Sequence, residues 1–141
     1  MERTQWKNGP HVLEFEPPDI YHCRVLAPVT ADEVKETMRV LEQEIIPKVG
    51  PVFFLMHMEG MSGKSLSPEA RRYITSLTPS WKAAVLIGGN PVLRATTDVV
   101  MRALNVLSRK QAPTRMVETV EEAYAIVEGL RAAERIAGAK G

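Results

Sequence analysis

Gly60-Met61-Ser62-Gly63-Lys64-Ser65 has the residue types that cradle a phosphate, but not their spacing. A phosphate loop places a glycine five residues before the glycine of Gly-Lys-Ser, and Met58 stands there. The stretch reads as a polar loop. Gly88-Gly89-Asn90-Pro91 offers backbone N–H groups at a helix start, close to Arg94. Such a turn can hold an anion, and it is also ordinary turn chemistry. His11, His22, His57 and Cys23 are metal-ligating types without Cys-x-x-Cys or His-x-x-x-His spacing, so no metal site is expected. Met56-His57-Met58 has soft ligands, but neighbours in a strand face opposite ways. His57 lies in an apolar run, where a hydrogen-bonded core histidine is expected. Ser62 or Ser65, His57 and Glu59 contain the types of a Ser–His–acid triad, yet no Gly-x-Ser-x-Gly elbow presents a nucleophile. No catalytic residue and no cofactor are assigned.

These residues sit between two apolar runs, Val52–Met58 and Lys82–Gly88, bounded by Pro and Gly. Such runs are typical of strands buried on both faces of a parallel sheet. The polar loop Glu59–Ser67 and the Gly88–Arg94 turn would then leave the carboxyl ends of neighbouring strands, where open α/β sheets place ligands. Upstream, His11–Glu16 and Ile20–Leu26 alternate about Pro17-Pro18-Asp19. Folded as an antiparallel hairpin, they pair Phe15 with Tyr21, Leu13 with Cys23 and Glu14 with His22, so that both faces agree. Thr30–Glu33 and Thr119–Glu122 are capping boxes, and Ser67-Pro68-Glu69 and Asn90-Pro91 are further helix starts. The first helix carries Val34, Met38, Leu41 and Ile45 and is expected to stop at Ile46-Pro47. The third is expected to bear an ion-pair ladder of Arg94, Asp98 and Arg102, and the last an apolar stripe of Val120, Ala123, Tyr124, Val127 and Leu130.

The 141 residues fit one domain, with 45% hydrophobic and 25% charged residues. A net charge of +1 makes no electrostatic case for nucleic acid or an anionic membrane. The single cysteine excludes an intramolecular disulfide. No apolar run is long enough for a membrane span, and the N-terminus lacks the apolar centre of a signal peptide, so a cytoplasmic location is expected. The expected organisation is a flexible arm at 1–10, one domain at 11–133 and a frayed tail at 134–141.

The order ββαβαβαβα resembles the STAS domain, the SpoIIAA-like fold of anti-sigma factor antagonists, and the bacterial single-domain STAS/SEC14-like proteins. Pro18-Asp19-Ile20-Tyr21, Val52-Phe53-Phe54-Leu55, Trp81 to Ile87 and Thr119–Ala123 carry the resemblance, over about residues 10 to 132. It implies an α/β fold with a mixed five-stranded sheet, the first strand antiparallel, and a non-enzymatic regulatory protein–protein interaction module. In that family a serine at the start of the helix after the third strand is phosphorylated, within Asp-Ser-Ser/Thr-Gly. Here Lys64-Ser65-Leu66-Ser67-Pro68 stands in its place, making Ser65 and Ser67 the candidate phosphoacceptors. The SEC14 side implies instead a carrier or sensor of a small lipid-like or anionic ligand. The expected binding surface comprises Glu59, Ser62, Lys64, Arg71, Arg72, Gly89, Asn90 and Arg94, and the expected partner is a protein. A homodimer is also expected, because helices confined to one face would leave the other face of the strands short of apolar cover.

Overall fold

A computed structural model describes residues 1–58, 67–76, 81–88 and 114–140. Its elements are β1 (Thr4–Asn8), β2 (His11–Glu16), β3 (Ile20–Arg24), α1 (Ala31–Arg39), a π-helical turn (Val40–Ile45), α2 (Ile46–Val49), β4 (Phe53–His57), α3 (Pro68–Ser76), β5 (Ala83–Ile87) and β6 (Thr114–Val117). The last is α4, Val120–Lys140. Among the described residues, six strands form one sheet in chain order. β2 is antiparallel to both its neighbours, and β3 to β6 run parallel. The class is therefore α/β, with six strands where the sequence suggested five. The added strand is β1, which lies in the stretch read as a flexible arm. Its short, charged Thr-Gln-Trp-Lys-Asn alternates after all, pairing Trp6 with Leu13 and Gln5 with Glu14.

The hairpin register is the one that alternation implies: Phe15 pairs with Tyr21, Leu13 with Cys23 and Glu14 with His22. Its turn contains a cis Pro17–Pro18 bond. One face of the sheet buries Leu13, Phe15, Tyr21, Cys23 and Phe54 against Met38, Val40, Leu41 and Ile45. Tyr21 meets the Phe54 ring edge-on at 5.3 Å. α3 packs beside α1, with Lys35 over the Tyr73 ring at 5.4 Å. The other face buries Ile20, Phe53, Leu55, Val85 and Ile87 against Ala123 and Val127 of α4. The chain itself thus supplies cover on that face, and the ground given for a homodimer falls away.

Two helix ends differ from the sequence expectation. The first helical stretch does not stop before Pro47. The Ile46 N–H donates to the Leu41 carbonyl, a π-type bond, and Pro47 then falls in the first turn of α2, where a missing N–H costs nothing. Tyr21 donates its hydroxyl to the Thr37 carbonyl at 2.9 Å just before this turn. α2 ends at Gly50, whose φ is +81°. At the other end, α4 continues to Lys140 instead of fraying after Ala133, although Ala133 to Gly138 are exposed.

The β1–β2 turn is clamped onto the start of α1. The Asn8 side-chain amide donates to the Glu33 carbonyl at 2.7 Å and to the Thr37 hydroxyl at 3.0 Å. The Leu26 N–H donates to His11 Nδ1 at 3.2 Å, so Nε2 carries the proton that His11 gives Glu33 at 3.1 Å. Gly9 between them has φ +58°, and a Cβ there would lie 2.6 Å from Glu33 Oε2. That carboxylate is held by His11 and by the Thr30 N–H, so it cannot simply swing away. Gly9→Ala is expected to cost about 1–2 kcal/mol in urea unfolding, from the left-handed backbone and this contact. A loss under about 0.5 kcal/mol would show that the turn relaxes freely.

Candidate functional site

β3, β4 and β6 end at Arg24, His57 and Val117, and the next described helices along the chain are α1, α3 and α4. Local hydrogen bonding sets each start. Thr30 Oγ1 accepts from the Glu33 N–H at 3.2 Å while Glu33 Oε1 accepts from the Thr30 N–H at 2.9 Å. Ser67 Oγ accepts from the Ala70 N–H at 3.1 Å. Thr119 Oγ1 accepts from the Glu122 N–H at 3.2 Å. The Ser67 N–H donates to the Val29 carbonyl at 3.2 Å, which ties the start of α3 to the residue preceding the cap of α1. Two helix N-termini thus lie side by side, and both dipoles favour negative charge there.

Of the residues expected to form the surface, Ser67 is the half-buried cap of α3. Arg72 is exposed on α3, 3.8 Å from Glu69. Arg71 belongs to α3, but its side chain lies outside the described residues. Glu59, Ser62, Lys64, Ser65, Gly89, Asn90 and Arg94 lie outside them too, as does the helix expected after Asn90-Pro91 with its ion-pair ladder. Gly88, at φ +80°, donates its N–H to the Val117 carbonyl at 2.9 Å and joins the ends of β5 and β6.

A second constellation crosses the α4 face of the sheet. Side chains alternate, so Glu14, Glu16, His22 and His57 all project to this face, away from Leu13, Phe15, Tyr21 and Phe54. His22 Nε2 lies 2.8 Å from Glu16 Oε1, and His22 Nδ1 lies 2.8 Å from His57 Nε2. Tyr124 of α4 donates its hydroxyl to the same Glu16 oxygen at 2.5 Å. Beside this chain Arg3 is hydrogen-bonded to Glu14 and lies 4.0 Å from Glu16. His22 and His57 are only 2% and 7% exposed, which leaves almost no water to replace a lost partner.

The charges follow from these contacts. Burial pushes the Glu16 carboxyl up, but hydrogen bonds from Tyr124 and His22 outweigh it and hold the group below the usual carboxylate range. Burial and then the bonds from Arg3 and Gln5 act on Glu14 in the same way, with the same net lowering. His57 is brought down to about 4 by burial, by His22 and by Arg24, so it is uncharged at neutral pH. Burial and then the bond to Glu16 raise the Tyr124 hydroxyl to about 12. An ionised Glu16 can only accept, so His22 Nε2 is the donor to it. Cys23 lies on the opposite face, where burial drives its thiol up to about 12 and leaves it inert.

Sequence reasoning found one link of this chain, His57 as a hydrogen-bonded core histidine, and it found the Glu14–His22 register. It missed Glu16 and Tyr124 as partners. The available signal was that Glu14, Glu16, His22 and Arg24 alternate onto one face, too many polar groups for a merely covered surface. Among the described residues, no group of three or more His, Cys, Asp or Glu is placed to hold a metal ion. No described helix is long and apolar enough to cross a membrane. Set beside known proteins, the chain matches no family model, no curated protein and no solved structure.

Proposed function

We propose that this chain is a non-catalytic regulatory module of the STAS-like kind, which binds a protein partner through the carboxyl edge of its parallel strands. The observation that carries the reading is the Ser67–Val29 bond, which sets the capped starts of α1 and α3 beside one another. An acidic or phosphorylated group is favoured at such an edge by about 0.3–1 kcal/mol per helix end. Ser67 is itself the cap of α3 and follows β4, which is where anti-sigma factor antagonists carry their phosphorylated serine. A phosphate on Ser67, or on Ser65 two residues before it, would place negative charge at the positive end of the α3 dipole and alter what that edge attracts.

The test compares the native chain with Lys64→Glu/Arg94→Glu and with Ser65→Asp/Ser67→Asp, by pull-down from native cell extract. Circular dichroism checks that each variant remains folded. The charge reversal is expected to lower recovery of the native partners by about tenfold, as removal of a charge-assisted contact does. The aspartate pair is expected to change which partners are recovered. Unchanged recovery in the folded charge-reversal variant removes the anionic recognition. Unchanged recovery in both removes this edge as the working surface.

A further inference from the structure

α4 is longer than the strands it covers. Its 21 residues span about 31 Å, and the five residues of β4 only about 17 Å. Ala123 and Val127 are buried against the sheet, and Leu130 is the last residue of α4 to pack on that core. Every residue from Ala133 to Gly138 is exposed. Among the described residues, two side-chain ties hold this second half to the rest of the fold. Arg131 is hydrogen-bonded to Asp19, and Glu134 lies 3.3 Å from Lys82 Nζ, which is itself 4.0 Å from Asp19. Both cations stand over the Phe53 ring, Lys82 at 5.1 Å and Arg131 at 5.8 Å from its centroid. Between the two halves of the helix stands Gly129. A Cβ there would meet nothing within 4 Å, so no packing demands a glycine, the poorest helix former after proline.

We infer that residues 131–140 of α4 are an electrostatically latched strap. The strap hinges at Gly129, stays down while Arg131 and Glu134 are paired with Asp19 and Lys82, and lifts when those charges are screened or removed. Lifting takes Arg131 off the Phe53 ring and bares that ring, which is 1% exposed with the strap down. The two halves differ in what holds them. Apolar burial keeps 120–127 docked at any ionic strength. Partly exposed ion pairs weaken with salt, as the Debye length falls from about 10 Å at 0.1 M to about 3 Å at 1 M. A lifted strap has no tertiary support and frays, because a helix of this length is marginal in water by itself. Asp19, Phe53 and Lys82 stand at the amino ends of β3, β4 and β5. That is the end of the sheet opposite the starts of α1 and α3, so the strap does not depend on the function proposed for that edge.

Amide hydrogen exchange, followed by NMR on the intact chain at fixed pH, tests it. Between about 0.05 M and about 1 M potassium chloride, the amides of 133–138 are expected to exchange at least about fivefold faster relative to those of 123–127. An equal change in both halves, or none, overturns the latch. Asp19→Asn is expected to speed exchange at 133–138 about tenfold in low salt, to leave 123–127 within about twofold and to remove most of the salt response. A rise shared by both halves means general destabilisation and overturns the inference, as does unchanged exchange. Gly129→Ala is expected to slow exchange at 133–138 about fivefold, the effect of alanine in place of glycine inside a helix. No slowing in that variant refutes the hinge. A soluble paramagnetic probe reads the ring: broadening of the Phe53 ring protons is expected to grow with salt and in Asp19→Asn. Broadening that stays the same while the strap amides exchange faster refutes the uncovering of Phe53.

Discussion

His22→Leu is expected to destabilise the fold by about 3 kcal/mol, read as a lower urea midpoint at an unchanged slope. His22 is the centre of the polar chain and bonds on both sides, to Glu16 and to His57. Leucine fills most of the space and satisfies neither neighbour. His57 Nε2 loses its partner inside the sheet face, and Glu16 keeps only Tyr124 and the distant Arg3. The cost is thus that of unsatisfied buried groups rather than of a cavity. This separates it from an ordinary core truncation and makes a further demand. His57→Leu combined with His22→Leu removes both imidazoles together, so the double variant is expected to lose clearly less than the sum of the two single losses. Additive losses, or a His22→Leu cost under about 1 kcal/mol, would mean that the chain is already solvated and holds nothing in place.

Stability is expected to fall by about 2 kcal/mol as pH drops from neutral toward 4, with the decline starting well above the carboxylate range. His57 takes a proton near 6.5 in the unfolded chain and only near 4 in the folded one. Between those values the unfolded state binds more protons, so acid favours unfolding, and the slope ends once the folded chain is protonated too. Glu14 and Glu16 act in the same direction further down, because their folded carboxyls are held below the ordinary value. Their stabilisation is complete above the unfolded value of 4.5 and is lost as pH falls through the lowered folded values. The two contributions separate by variant. His57→Gln is expected to flatten the curve between 6.5 and 4.5 and to leave the acid limb below it. Urea unfolding at a series of pH values measures both. A native curve that is flat down to the carboxylate range would contradict a buried, uncharged His57.

What was legible in the chain was what a few neighbouring residues decide. Thr30 with Glu33, Ser67 with Ala70 and Thr119 with Glu122 satisfy helix-start N–H groups within four residues, and all are visible as spacing. Alternation on both sides of Pro17-Pro18 was enough to set the β2–β3 register, since a slip of one would turn every side chain to the wrong face. The apolar strands β4 and β5 were legible as short apolar runs bounded by Pro and Gly. β1 was not, because five residues with a lysine and no flanking apolar run carry too little pattern until β2 is there to pair with. The passage of the helix through Pro47 was equally hidden: the steric rule says stop, and only the π-type turn before it makes room. Of the expected working surface, the caps and Ser67 were legible, while Glu59, Ser62, Lys64, Ser65, Gly89, Asn90 and Arg94 lie outside the described residues.

The sequence by itself determined the α/β class, the strand pairing of the hairpin, the helix starts at Thr30, Ser67 and Thr119 and the burial of His57, because each follows from periodicity, from a short apolar run or from bonds between close neighbours. Only the tertiary structure decided which buried groups meet. Glu16 and Tyr124 are 108 residues apart and His22 and His57 are 35 apart. They touch because β3 lies against β4 and because α4 lies on the face opposite α1. No local spacing encodes that side. It is set by which sheet face still had apolar surface to bury after α1 and α3 had covered the other, and a buried carboxylate then takes whatever donors that packing brings within reach.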